Sequence, residues 1–156
     1  MAALPSIKSD PVELKRLSEL RRALLDGINM CGEVAFSIAN STLRKTILAL
    51  EQQSSQYLNE INFQIEKLGG KANDIGFQQN LALNFVEEKQ KPIHNLEKQA
   101  LKACRKIESS VIQLYSKMLH EQFENDSLKK LIQYQMNGIM RTTLQLKLLL
   151  KFLHNQ

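Results

Sequence analysis

The feature that most constrains the fold is a helix stop, Leu68-Gly69-Gly70, near the middle of this 156-residue chain. Apolar residues before it recur at helical spacing, and the paired glycines supply the left-handed backbone that ends a helix. Pro92 marks a second boundary, because proline cannot continue a regular helix without the loss of a hydrogen bond. The chain therefore divides into two helical halves joined by residues 69–92.

Each half contains two helical patterns separated by a short polar break. The breaks are Asn40-Ser41-Thr42 and Asn125-Asp126-Ser127, and both are rich in residues that cap helix N-termini. Connections this short leave room only for antiparallel hairpins. The predicted helices run from about Pro11 to Asn40, from about Leu43 to Leu68, from about Ile93 to His120 and from about Leu128 to Leu153.

The segment between the hairpins, residues 69–92, is long enough to run the length of a bundle. Phe77, Leu81 and Phe85 recur within it at four-residue spacing, which predicts a short amphipathic helix. We therefore predict an all-α, ferritin-like four-helix bundle in which a long crossover containing a short helix joins two antiparallel hairpins. The chain, residues 1–156, forms a single domain of this kind, with a flexible N-terminal segment at residues 1–9.

The composition restricts the compartment and the partners. No segment resembles a signal peptide, and none approaches the roughly 18 uncharged apolar residues of a membrane span, so we expect a cytoplasmic protein without integral membrane contact. The net charge is +5, and all of the excess lies after residue 70, where 13 basic residues accompany 8 acidic ones. This charge is ordinary for a soluble domain. With 6% aromatic residues and no nucleic-acid-binding motif, it argues against a nucleic-acid partner.

The two cysteines, Cys31 and Cys104, each lie within a helical pattern. In a reducing compartment such residues usually serve as small buried hydrophobic side chains, which is the role that we expect here. A disulfide or a reactive thiol is the alternative.

Three short motifs carry a resemblance to a known family. They are Ile65-Glu66-Lys67-Leu68-Gly69-Gly70, Gly32-Glu33 in the first helix, and Ile107-Glu108 followed by Tyr115 in the third. Over about residues 20 to 150 the chain resembles a bacterial family of small ferritin-like four-helix-bundle proteins, a domain of unknown function. The resemblance implies a bundle core that descends from di-metal carboxylate proteins, with no settled activity.

The ligand set of a di-metal bundle is largely missing from this chain. Such a site needs a Glu from each of two helices and a Glu-x-x-His motif from each of the other two, and no Glu-x-x-His occurs here. The fourth helix has no Asp or Glu after Asp126. Glu33, Glu60 and Glu108 are therefore only weak candidate metal ligands, and we expect no cofactor. Arg141, if it faces inward, would pair with one of these carboxylates and replace the charge of the metal.

The fourth helix has a wider apolar arc than one bundle core normally covers. In one interpretation the N-terminal segment or the crossover helix covers the surplus. In the others it is a dimer contact, a partner groove or a basic membrane-surface face, and the absence of Trp favours protein contact over a membrane. The predicted partner-binding residues are Leu146, Leu149, Leu150, Phe152 and Leu153.

No motif for catalysis occurs in the chain, which lacks a Gly-rich phosphate loop, a Cys-x-x-Cys pair and a Gly-x-Ser-x-Gly elbow. We therefore predict a non-enzymatic, ferritin-like bundle that acts through protein–protein contact, by self-association or by binding a partner. One alternative is a residual carboxylate metal-binding or oxidase-type protein. A second is peripheral binding to a membrane surface through the basic, leucine-rich C-terminal helix.

Overall fold

Four long α-helices make up the part of the chain described by this computed structural model, residues 11–71, 93–121 and 124–154. These ranges contain no β-strand, so the all-α prediction is confirmed for them. The predicted N-terminal segment, residues 1–9, and the predicted short helix of the crossover lie outside the described residues. The helices are α1 (Pro11–Ser37), α2 (Ser41–Lys67), α3 (Ile93–His120) and α4 (Asp126–His154).

Two asparagines determine where α2 and α4 begin. The side-chain oxygen of Asn40 accepts a hydrogen bond from the backbone N–H of Leu43 at 2.9 Å. Asn125 accepts in the same way from the N–H of Leu128 at 3.1 Å. The first turn of a helix leaves its backbone donors without partners, and each asparagine satisfies one of them. Both helices therefore begin at the breaks that the sequence predicted.

The predicted helix stop ends α2. Gly69 has φ of 87°, the left-handed conformation that favours glycine. Its N–H donates to the carbonyl of Glu66 at 3.0 Å, and the N–H of Gly70 donates to the carbonyl of Ile65 at 2.8 Å. This pair of bonds is a Schellman motif, which satisfies carbonyls that the last turn would otherwise leave free.

The buried core consists of two clusters, one toward each end of the bundle. The first core cluster takes residues from the early parts of α1 and α4 and from the late parts of α2 and α3. The second takes residues from the late parts of α1 and α4 and from the early parts of α2 and α3. The first comprises Leu17, Leu20, Leu24, Tyr57, Ile61, Ile65, Leu68, Val111, Tyr115, Met118, Leu128, Ile132 and Ile139. The second comprises Met30, Cys31, Val34, Ala35, Ile38, Leu43, Ile47, Leu50, Leu101, Cys104 and Leu146.

The membership of these clusters defines the directions of the helices. Helices α1 and α4 run from the first cluster toward the second, because their early halves contribute to the first cluster. Helices α2 and α3 run the other way, because their early halves contribute to the second cluster. Each of α1 and α4 packs against both α2 and α3, so helices of the same direction lie across the diagonals of the bundle. The end of α2 and the start of α3 therefore lie toward opposite ends of the bundle.

Candidate functional site: a buried polar layer and an exposed apolar row

A polar layer separates the two core clusters. On each helix the series of buried apolar residues is interrupted between the clusters by a small or polar residue that is itself buried. A layer at the centre of a bundle is where inward-facing side chains form functional sites in proteins of this architecture. The polar layer consists of Gly27, Ser54, Glu108 and Thr143, one residue from each helix.

Glu108 is the carboxyl group of the polar layer and is only 1% exposed. Its Oε2 atom is buried and has no hydrogen-bond partner among the described residues. Its Oε1 atom faces Gly27, where an added Cβ would lie 3.1 Å away, so the glycine leaves room for the carboxyl group. Burial raises the pKa of Glu108 to about 7, because removal from water disfavours the charged form. The protonated form of Glu108 therefore persists to a higher pH than that of an exposed glutamate.

A second polar arrangement links three helices beside the polar layer. The hydroxyl of Tyr115 donates to Oε1 of Gln135 at 2.8 Å. Nε2 of Gln135 donates to Oε1 of Glu60 at 2.8 Å and to the backbone carbonyl of Tyr57 at 3.3 Å. Gln135 is fully buried, and it holds α2, α3 and α4 together through bonds that an apolar side chain would not make. Sequence reasoning missed Gln135, although its spacing from Ile132 and Ile139 places it on the inward face of α4.

The close approach of α2 and α4 depends on a glycine. The hydroxyl of Tyr57 lies against Gly138, in the space that the Cβ of any other residue would occupy. The ring of Tyr57 also meets Tyr134 edge to face, with a centroid separation of 6.0 Å. Gly138 thus sets the position of Tyr57 next to the Gln135 bonds.

The two cysteines face each other across α1 and α3. The Sγ atoms of Cys31 and Cys104 are 3.5 Å apart, and each residue is 1% exposed. Both are free thiols within the second core cluster, so the prediction of small buried side chains is confirmed. The hydrogen bond with Cys104, together with burial, raises the pKa of the Cys31 thiol, and the nearby charges of Glu108 and Glu51 act in the same direction.

The three candidate metal ligands do not converge. Glu108 lies in the polar layer, Glu60 accepts from Gln135, and Glu33 is half-buried elsewhere on α1. Within the described ranges, no group of three or more His, Cys, Asp or Glu side chains is arranged to hold a metal ion.

Arg141 does not face the core, so the predicted pairing with a buried carboxylate is wrong. The inward positions of α4 include Ile139 and Thr143, and Arg141 lies midway between them in sequence. Two residues correspond to about 200° of rotation around a helix, which turns Arg141 away from the core to an exposed position. Arg141 is therefore not the partner of the Glu108 carboxyl group.

The exposed surface of α4 differs from the predicted one. Leu146 is fully buried in the second core cluster, so the prediction that it binds a partner is wrong, while Leu149 and Leu150 are partly buried against that cluster. Phe152 is exposed as predicted, and the side chain of Leu153 lies outside the described residues. Four exposed apolar residues in the later part of α4 instead follow an i, i+4 spacing, and each is between 47% and 60% exposed. We define this apolar row as Met140, Leu144, Leu148 and Phe152.

Basic side chains border the apolar row. Arg141, Lys147 and Lys151 are all exposed on the same half of α4. Since the sequence contains no Asp or Glu after Asp126, the only carboxylate of this helix lies in its first turn, far from these three residues. The row is thus an apolar strip with a positive border.

No helix in the described ranges is long and apolar enough to cross a membrane. The predicted family resemblance stays a prediction, as do the partner and the compartment. No protein-family model, no curated protein and no solved structure matches this chain.

Proposed function

We propose that this chain is a ferritin-like four-helix bundle that functions by binding a partner protein through the apolar row of α4. The directions of the helices support the ferritin-like connectivity. A connection from the end of α2 to the start of α3 has to run along the bundle, and residues 72–92 supply the length that a long crossover needs.

The observation that carries the binding function is the continuity of the apolar row. Exposed apolar residues that are scattered singly are normal on soluble proteins. Here Met140, Leu144, Leu148 and Phe152 are consecutive members of one i, i+4 series, and Leu144 and Leu148 point away from the core. Such a series presents the anchors by which one helix recognises another.

The charge beside the row indicates the chemistry of the partner. Arg141, Lys147 and Lys151 favour a surface with carboxylates around an apolar centre. Pairing of α4 with α4 of a second copy would bring these cations together, and like charges at an interface oppose association. The partner that fits this surface is therefore a protein that presents an acidic amphipathic helix.

A designed peptide tests this function directly. The probe is a fluorescent amphipathic helical peptide with leucines at i, i+4 spacing and glutamates beside them. The control is the same peptide with lysines in place of the glutamates. We expect the acidic peptide to bind the full chain, to bind more weakly as salt rises, and to bind better than the lysine peptide. The dissociation constant from fluorescence anisotropy is the measurement.

Substitution within the chain supplies the control. L144S with L148S should weaken binding of the acidic peptide by at least about tenfold, because buried apolar anchors dominate such contacts. F36S with F63S removes two other exposed aromatic side chains, Phe36 being 88% exposed, and should leave binding unchanged. Phe36 lies on α1, across the bundle from α4, and Phe63 lies near the far end of α2.

Three results would overturn the proposal. Equal binding of both peptides, or equal loss in both double variants, would show that the row does not recognise an acidic helix. If the parent chain forms dimers as its concentration rises, and the double variant L144S with L148S does not, the row would be assigned to self-association. Binding to vesicles that contain anionic lipid, in the absence of peptide binding, would assign it to a membrane surface.

A further inference from the structure

We propose that Cys31 and Cys104 form a reversible internal disulfide that fastens α1 to α3 next to the polar layer. Their Sγ atoms are 3.5 Å apart, and the two residues are separated by 73 positions in sequence. They are the only cysteines in the chain, so no other internal pairing competes with this one. A bond between them requires only a small approach of two helices that are already packed together.

The surroundings of Cys31 explain how an oxidant reaches a buried pair. Gly27 and Gly32 flank Cys31 within α1, and glycine inside a helix lowers its local stability. Several buried polar atoms close to this level also have no hydrogen-bond partner among the described residues. They include Oδ1 of Asp26, Nδ2 of Asn29, Oε2 of Glu108 and Oγ1 of Thr143. Unsatisfied buried groups are stabilised when water reaches them, so these groups and the two glycines favour local opening of this part of α1.

The oxidant is a small organic disulfide such as oxidised glutathione. In the opened state one cysteine loses its proton to water, and its thiolate attacks a sulfur of the organic disulfide. A mixed disulfide forms, and one small thiolate leaves. The thiolate of the other cysteine then attacks the protein sulfur of the mixed disulfide, which forms the Cys31–Cys104 bond and releases the second small thiolate. The two released thiolates take up the two protons, and the two electrons of the protein thiols reduce the organic disulfide.

The closed bundle slows thiol–disulfide exchange of the cysteine pair in both its reduced and its oxidised form. Burial disfavours the thiolate in the reduced form, so exchange proceeds only through the opened state. In the oxidised form the bond closes a long loop between α1 and α3 and reduces the entropy of the unfolded chain. The melting temperature of the oxidised chain should therefore exceed that of the reduced chain by about 5 °C or more.

The experiment uses the full chain in buffers with graded ratios of oxidised to reduced glutathione, with and without a low concentration of urea. Free thiols are alkylated, and the intact mass and the cross-linked tryptic peptides are measured. We expect a monomer that is two hydrogen masses lighter, a peptide that joins α1 to α3, and faster formation in low urea. Dithiothreitol should reverse the bond, and C31A or C104A should abolish it.

The alternatives give distinct results. Glutathione adducts that never resolve, disulfide-linked dimers, or unmodified thiols under all ratios would overturn the proposal. A cross-link that lowers the melting temperature would also overturn it, because the bond would then strain the fold. The outcome is independent of the apolar row, since neither cysteine contributes to that surface.

Discussion

Single residues in the polar layer decide the chemistry of the bundle interior. The sequence made Glu108 a weak candidate metal ligand, and the structure places it in a buried position where one oxygen has no hydrogen-bond partner among the described residues. Burial disfavours the charged form of this carboxyl group and therefore favours its protonated form. The burial of Glu108 depends on side chains from other helices, and spacing along α3 does not show it.

The raised pKa of Glu108 makes the stability of the fold depend on pH. The pKa is about 7 in the folded chain and near 4.5 ordinarily, so between these values the folded state binds a proton that the unfolded state has lost. Stability from this group is thus present at low pH and is lost as the pH rises through 7, by about 3 kcal/mol. E108Q should remove this part of the pH dependence and be more stable than the parent chain at pH 8.

Urea unfolding at several pH values measures this effect. E66Q, at an exposed position of α2, is the matched control and should retain the parent pH dependence. The assignment fails if E108Q and the parent chain lose stability equally between pH 5 and pH 8.

At the scale of one element, the C-terminus of α2 shows how a local motif ends a helix. Gly69 adopts a φ of 87°, and no atom lies within 4 Å of the place where its Cβ would be. A substitution there is therefore opposed by backbone conformation alone. Gly70 differs, because its Cβ would come within 2.8 Å of Ile65 and 2.9 Å of Leu14. The two adjacent glycines serve two different requirements.

G69A should destabilise the fold by about 1 to 2 kcal/mol, because alanine resists the left-handed conformation. G69N should restore part of this loss, since asparagine tolerates that conformation better. The free energy of unfolding, from chemical denaturation, is the measurement. Equal stability of G69A and G69N would contradict the backbone explanation.

At the scale of the whole molecule, the bundle places α2 and α3 in the same direction across a diagonal. The test is the distance between spin labels attached at exposed positions in a chain that carries C31A and C104A. A label at Glu66, late in α2, is compared with labels at Lys98 and Lys117, early and late in α3. These two positions in α3 are separated by roughly 30 Å along the helix.

We expect the label pair at Glu66 and Lys117 to be much closer than the pair at Glu66 and Lys98, as measured by pulsed electron spin resonance. The core clusters require this order, because the late halves of α2 and α3 contribute to the same cluster. The reverse order would show that α3 runs opposite to α2 and would contradict the proposed ferritin-like connectivity.

The sequence by itself determined the four helices and where α2 and α4 begin and α2 ends. These features depend on Asn40, Asn125 and Gly69, which act through hydrogen bonds and backbone angles within a few residues of themselves. Interactions between residues this close in the chain can be predicted from the sequence, and the structure confirms these helix ends.

Only the tertiary structure decided which side of α4 faces solvent. Its apolar arc is wider than the core that it meets, so spacing alone did not show whether the row of Leu146 or the row of Leu148 would be buried, nor that Arg141 would be exposed. The contact between Cys31 and Cys104 likewise joins residues far apart in the chain. The rotation of each helix depends on its neighbours, because burial is a property of the packed bundle and not of one segment.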